Sequence, residues 1–88
     1  MLDFDWNDAK AQANLEKHGI AFSYAIRIFS GAVVEWDSPR DGEDRNVALG
    51  RADRQVLAVV YAWRNGTRWI ISARPAKRRE RRIYEQRS

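Results

Sequence analysis

The segment Ser72-Ala73-Arg74-Pro75-Ala76-Lys77-Arg78-Arg79-Glu80-Arg81-Arg82-Ile83-Tyr84-Glu85 holds most of the side chains that could do chemistry. Arg74, Lys77, Arg78 and Arg81 are cations, and Glu80 and Tyr84 stand one helical turn apart. Such a set suits a phosphodiester. A ribose 2′-OH can attack its own 3′ phosphate without a metal or cofactor. The reaction needs a base for the hydroxyl, an acid for the leaving 5′ oxygen and cations for the phosphorane. Arginine meets phosphate with two parallel hydrogen bonds. Glu80 and Tyr84 could handle protons, and His18 is the only imidazole in the chain, the side-chain type that titrates nearest neutrality.

Each of these residues also has a plainer reading. A histidine just before a helix-ending glycine more often meets the last carbonyls of its helix. Lys17 more often is a solvated side chain. Glu80 more often pairs with Lys77 or its neighbours, and Tyr84 can simply cover a core. The four tryptophans are core residues by default, although Trp69 could stack on a base. Lys77–Arg81 and Arg78–Arg82 are like-charge pairs at i,i+4, each mildly unfavourable alone, which phosphate would offset.

The charge of the whole chain sharpens this. The 88 residues carry 16 Lys and Arg against 12 Asp and Glu, a net charge of +4. Residues 1–60 hold 7 basic and 10 acidic side chains, whereas residues 61–88 hold 9 basic and 2 acidic. A basic block this dense repels itself unless a polyanion or an acidic partner lies against it. Nucleic acid is the first candidate and an acidic protein the second. The chain has no cysteine, so disulfide, thiolate–metal and thiol-nucleophile chemistry are excluded, and one histidine leaves no multi-His metal site. The longest apolar run, 56–63, is far shorter than the roughly 20 residues of a membrane helix. The N-terminal MLDFDWND has no apolar signal core. A single cytoplasmic domain over 1–88, with no membrane partner, is the expectation.

The elements that must position these groups follow from local signals. Asn7 is a candidate N-cap for a helix over 9–17, which Gly19 ends. A second helix is expected over about 22–29, stopped by Gly31. Strands follow over 32–37, 45–49, 55–63 and 67–73, and Asn65-Gly66 is the strongest hairpin turn signal. A two-residue turn there pairs Arg64 with Thr67, Trp63 with Arg68, Ala62 with Trp69, Tyr61 with Ile70 and Val60 with Ile71. Trp63, Arg68, Tyr61, Ile70 and Ser72 would then share one face, with Trp63 and Arg68 a cation–π pair. Arg64, Trp69, Val60 and Ile71 would share the other. Pro75 is expected to open a last helix over about 76–86. The order is ααββββα, an α+β domain. It fits a four-stranded antiparallel sheet with its helices on one face, two N-terminal and one basic C-terminal.

Three segments, in order, resemble the BrnT family of ribonuclease toxins. They are Phe4-Asp5-Trp6-Asn7 through Lys17-His18-Gly19, then Glu43-Asp44-Arg45 followed by Gly50, then Ile70-Ile71-Ser72-Ala73-Arg74 with Glu80-Arg81 and Tyr84. The resemblance implies a RelE-like fold and metal-independent mRNA cleavage in a type II toxin–antitoxin system. It also implies a ribbon-helix-helix antitoxin that masks the toxin and represses the shared operon with it, so that DNA is met only through the antitoxin. The matching positions are Lys17, His18, Arg45, Arg74, Glu80, Arg81 and Tyr84. Together with the tail, this makes Glu80, Tyr84, Arg74, Arg81 and His18 the expected catalytic residues. Lys17, Arg45, Arg68, Lys77 and Arg78 are the expected RNA contacts, with no metal ligand and no cofactor. Three positions depart from the family pattern. Trp69 replaces a basic strand residue, Pro75 a lysine, and Ala21 a helix-capping serine. The alternative from the residues alone is a non-catalytic nucleic-acid-binding or protein-interaction module.

Overall fold

Asn7 starts the first helix, as its side chain predicts. In the computed structural model, which describes residues 3–40 and 42–87, its Oδ1 accepts the Lys10 N–H at 3.0 Å. Helix α1 runs Asp8–His18 and ends at Gly19, whose φ of 72° only glycine adopts freely. The second helix is shorter than expected. Helix α2 covers Phe22–Ala25, and the chain then tightens into a 3-10 turn, Ile26–Ser30. Ala21 offers no side chain to cap α2. Within the 3-10 turn, Ile28 seats over Gly50, where an added Cβ would lie 2.6 Å from the Ile28 Cβ. The close approach of this turn to the sheet therefore depends on a glycine.

The sheet has one more strand than the sequence suggests. Strands β1 (Phe4–Trp6), β2 (Val33–Asp37), β3 (Arg45–Ala52), β4 (Gln55–Arg64) and β5 (Thr67–Pro75) form a mixed sheet in the order β1-β5-β4-β3-β2. Strands β2 to β5 are antiparallel neighbours, as expected. Strand β1 pairs parallel to β5, Phe4 opposite Arg68 and Trp6 opposite Ile70. The four-stranded antiparallel reading is thus corrected to five mixed strands. Three residues are too few to show a period, and their strand character comes from the distant β5.

The β4–β5 hairpin keeps its predicted turn, with Asn65 at φ 52° and Gly66 at φ 79°. Four expected pairs are present, from Arg64–Thr67 to Tyr61–Ile70. Beyond them the register slips, and Val60 faces Ser72 instead of Ile71. This irregularity at Ile71 moves Ser72, and Arg74 after it, off the face of Ile70 and onto that of Trp69. The last helix also starts later than expected. Pro75 still pairs with Leu57 as the end of β5, so it does not open a helix, and α3 runs Arg78–Arg87.

The helices lie on both sides of the sheet, not on one. On the first side α2 and the 3-10 turn bury Phe22, Ala25 and Ile28 against Ala48, Leu57, Val59, Tyr61, Ile70 and Ala73. On the second side Ala76 and Tyr84 pack on Leu49, Val56 and Ala58. Helix α1 runs beside β5, beyond the end of short β1. There the buried Asn14 closes the strand edge. Its Nδ2 donates to the Ala73 and Ile20 carbonyls at 2.8 and 2.9 Å, and its Oδ1 accepts the Ala73 N–H at 3.1 Å. One amide so satisfies three backbone groups that would otherwise be buried unpaired. Among the described residues no helix is long and apolar enough to cross a membrane.

Candidate functional site

Helix α3 covers only one end of the second side of the sheet. The pairing register places Arg45, Arg64, Trp69, Ser72 and Arg74 on that same side. The uncovered part is therefore a polar, strongly cationic strip, bounded by α3 at one end and α1 along the β5 edge.

At the α3 end, Arg74 and Glu80 form a two-bond ion pair. Arg74 Nη1 and Nη2 donate to Glu80 Oε1 and Oε2 at 2.7 and 2.9 Å. Glu80 Oε1 also accepts the Lys77 N–H at 2.8 Å, capping the helix start. The Arg74 hydrogen bonds hold the Glu80 carboxyl below the usual carboxylate range, against the opposing effect of burial. Both side chains are about three-quarters or more shielded, at 25% and 16% exposure. The arrangement orients a guanidinium and occupies both carboxylate oxygens. Arg81 donates to the Ala76 carbonyl at 2.9 Å, which fixes it beside the same turn. Lys77 and Arg78 are exposed at the start of α3.

In the middle of the strip Glu43 joins two arginines. Its carboxylate accepts from Arg45 Nε and Arg64 Nη2, each at 2.9 Å. Those hydrogen bonds, Arg45 first, hold Glu43 below the ordinary carboxylate range. The Arg64 guanidinium carbon lies 4.8 Å from the centre of the Trp69 ring. These residues, with Asn7, Lys10 and Ile71, line a cavity of about 200 Å³. A second shallow cavity of about 220 Å³ adjoins it, walled by Lys10, Asn14, Lys17, His18, Ile71 and Ser72. Lys10 and Ile71 are common to both. Lys17 and His18 thus stand at the end of α1, along the groove that leads from Trp69 to Ser72.

Two expected site residues lie apart from this strip. Arg68 is on the first side of the sheet, where its guanidinium carbon sits 4.3 Å from the Phe29 ring centre, 4.7 Å from Trp63 and 5.2 Å from Tyr61. The hairpin register puts it opposite Trp63, facing away from Arg74 and Arg45. Its Nε is buried without a hydrogen-bond partner. Tyr84 is buried in the second core, its hydroxyl donating to the Ala32 carbonyl at 3.2 Å and the Arg51 guanidinium lying over its ring at 5.7 Å. Its hydroxyl points at backbone. Lys10 and Arg64 were not singled out from sequence, although signals exist. Lys10, Asn14 and Lys17 fall on one α1 face at i, i+4 and i+7, and the hairpin register sets Arg64 on the face of Trp69.

Among the described residues, no three His, Asp or Glu side chains gather to hold a metal ion. A comparison with curated proteins finds no match. The family model described as "Ribonuclease toxin, BrnT, of type II toxin-antitoxin system" matches residues 6–80. That span takes in the last residue of β1, both N-terminal helices, strands β2 to β5 and the Arg74–Glu80 pair. The chain therefore belongs to the BrnT family of RelE-like ribonuclease toxins of type II toxin–antitoxin systems.

Proposed function

We propose that this toxin cleaves mRNA through attack of a ribose 2′-OH on the adjacent phosphate, without a metal ion, and so inhibits translation. The observation that carries the reading is the Arg74–Glu80 pair. It fixes a guanidinium at the open end of β5, next to Arg81 at the start of α3. A preorganised cation is worth most where charge develops in the transition state. Arg74 and Arg81 accordingly meet the phosphorane oxygens, and Glu80 positions Arg74. His18 at the end of α1 carries the proton, because an imidazole is the side chain best suited to that near neutral pH. Lys17, Arg45, Lys77 and Arg78 hold flanking phosphates, and Tyr84 and Arg68 support the two cores.

The partner is a ribbon-helix-helix antitoxin that covers the cationic strip. The pair represses its own operon, and the toxin acts in the cytoplasm. Purified toxin is expected to cut a defined RNA in EDTA, and both Arg74→Ala and Arg81→Ala to cut it about 10²–10³-fold more slowly. RNA left intact by the wild type, or equal rates in all three proteins, would overturn the reading.

A further inference from the structure

The cavity between Glu43 and Trp69 has a composition that phosphate binding alone does not call for. A phosphate site needs cations and N–H donors. This cavity adds an indole and a carboxylate. Arg64 lies against the Trp69 ring at 4.8 Å, and its side chain is 48% exposed. Its guanidinium is therefore partly open to a further flat group. Bases in single-stranded RNA stack on aromatic rings and on arginine planes alike. Glu43 is engaged by one arginine N–H on each oxygen. A carboxylate has about four acceptor positions, so each oxygen can accept once more.

We propose that Glu43, Arg64 and Trp69 form a nucleobase subsite that selects guanine. The inference rests on the ribonuclease reading for its substrate and adds the base that this site prefers. Guanine alone presents two adjacent N–H donors, N1–H and the 2-amino group, on its Watson–Crick edge, which match the two oxygens of one carboxylate. Its O6 lies beside them and accepts from an arginine N–H. Adenine and cytosine offer an amino group next to a ring acceptor, and uracil a single N–H between two carbonyls. Each of these leaves a charged Glu43 oxygen facing an acceptor or facing nothing. The cavity, at about 200 Å³, is smaller than the usual pocket for a whole drug-sized ligand, and suits one ring system. The neighbouring groove past Lys10 and Ile71 to Lys17 and Ser72 takes the backbone on towards Arg74. The subsite thus places a guanine near the bond to be cut.

The test uses 2′-O-methylated RNA tetramers that differ at one position, G, A, C or U. These lack the 2′-OH and bind without being cleaved. The G tetramer is expected to bind at least about tenfold more tightly than the others, as one bidentate base contact provides. Trp69→Ala removes the ring that holds the Arg64 plane and is expected to weaken G binding at least about 5-fold, the low end of the range for loss of a base stack, and Trp69→Phe to retain most of it. Glu43→Gln is expected to remove the advantage of G over A. Trp69→Phe keeps an aromatic ring in place and guards against a folding defect in the alanine variant, checked by thermal melting. Equal binding of all four tetramers, or Trp69→Ala matching Trp69→Phe in affinity, would overturn the subsite even if the toxin cleaves RNA. Guanine-selective binding by a protein that leaves unmodified RNA intact supports the subsite and rejects the ribonuclease reading, so the two failures are distinct.

Discussion

Replacing Glu80 with glutamine isolates what the Arg74–Glu80 pair contributes. The carboxylate accepts two guanidinium hydrogen bonds at 2.7 and 2.9 Å and the Lys77 N–H at 2.8 Å. A glutamine keeps one carbonyl oxygen and turns an amide N–H₂ towards a guanidinium, so at least one charge-assisted bond is lost. Such a bond contributes about 1.5–3 kcal/mol when shielded. Exposure of 25% and 16% on the two side chains reduces this through solvent screening. The expected loss is about 2 kcal/mol, or roughly 8–16 °C in Tm for a domain of this size. The pH dependence carries the sign. The folded pKa of Glu80 lies below its ordinary 4.5. The stability it adds is therefore fully present above that ordinary value and is lost as pH falls through the lower folded pKa. Urea unfolding of both proteins from pH 7 to pH 3 should show a difference near 2 kcal/mol at pH 7 that shrinks in the acid range. A difference below about 0.5 kcal/mol at pH 7, or one that stays constant with pH, would refute the reasoning.

Other perturbations probe the frame and the face. Gly50→Ala pushes a Cβ to 2.6 Å from Ile28 Cβ and 3.1 Å from Val33 Cγ1, so overpacking should cost about 1–3 kcal/mol by urea titration. Asn14→Ala leaves three backbone groups of Ile20 and Ala73 without their partner. It should cost about 2–4 kcal/mol and speed hydrogen exchange of the Ala73 amide. Arg68→Ala removes a cation from an aromatic cage on the side away from the strip. It should lower Tm while leaving the salt dependence of RNA binding steeper than in Arg74→Ala, whose slope should fall by about one.

Much of the scaffold is legible in the sequence because its signals are local. Asn7, Gly19 and Asn65-Gly66 each act on their own few residues, and each does in the structure what its chemistry predicts. The parts that were not legible depend on distant partners. Strand β1 exists because β5 offers a free edge to Phe4–Trp6. Asn14 looks like any polar helix residue until Ala73 arrives beside it. The shift at Ile71 has no composition signal, yet it decides that Ser72 and Arg74 lie on the side of Trp69 and not on that of Ile70. The placement of α3 on the second side follows from Ala76, Ile83 and Tyr84 meeting Leu49, Val56 and Ala58, which no local pattern specifies. For the site, Arg74 and Glu80 were recognisable as a cation and its neighbour, but their pairing needed the strand to continue through Pro75. Arg68, an expected RNA contact, lies on the side of the sheet away from Arg74, because charge alone does not reveal which side of a sheet a residue faces.

The chemistry of the cut ends tests the central claim most directly. A short RNA of known sequence, incubated with purified toxin in EDTA, is analysed by mass spectrometry for the groups left at each break. Attack by the 2′-OH predicts a 2′,3′-cyclic phosphate on one fragment and a free 5′-OH on the other, with both greatly reduced in Arg74→Ala. Fragments ending in 3′-OH and 5′-phosphate, or cleavage that appears only when a divalent metal is restored, would contradict the account.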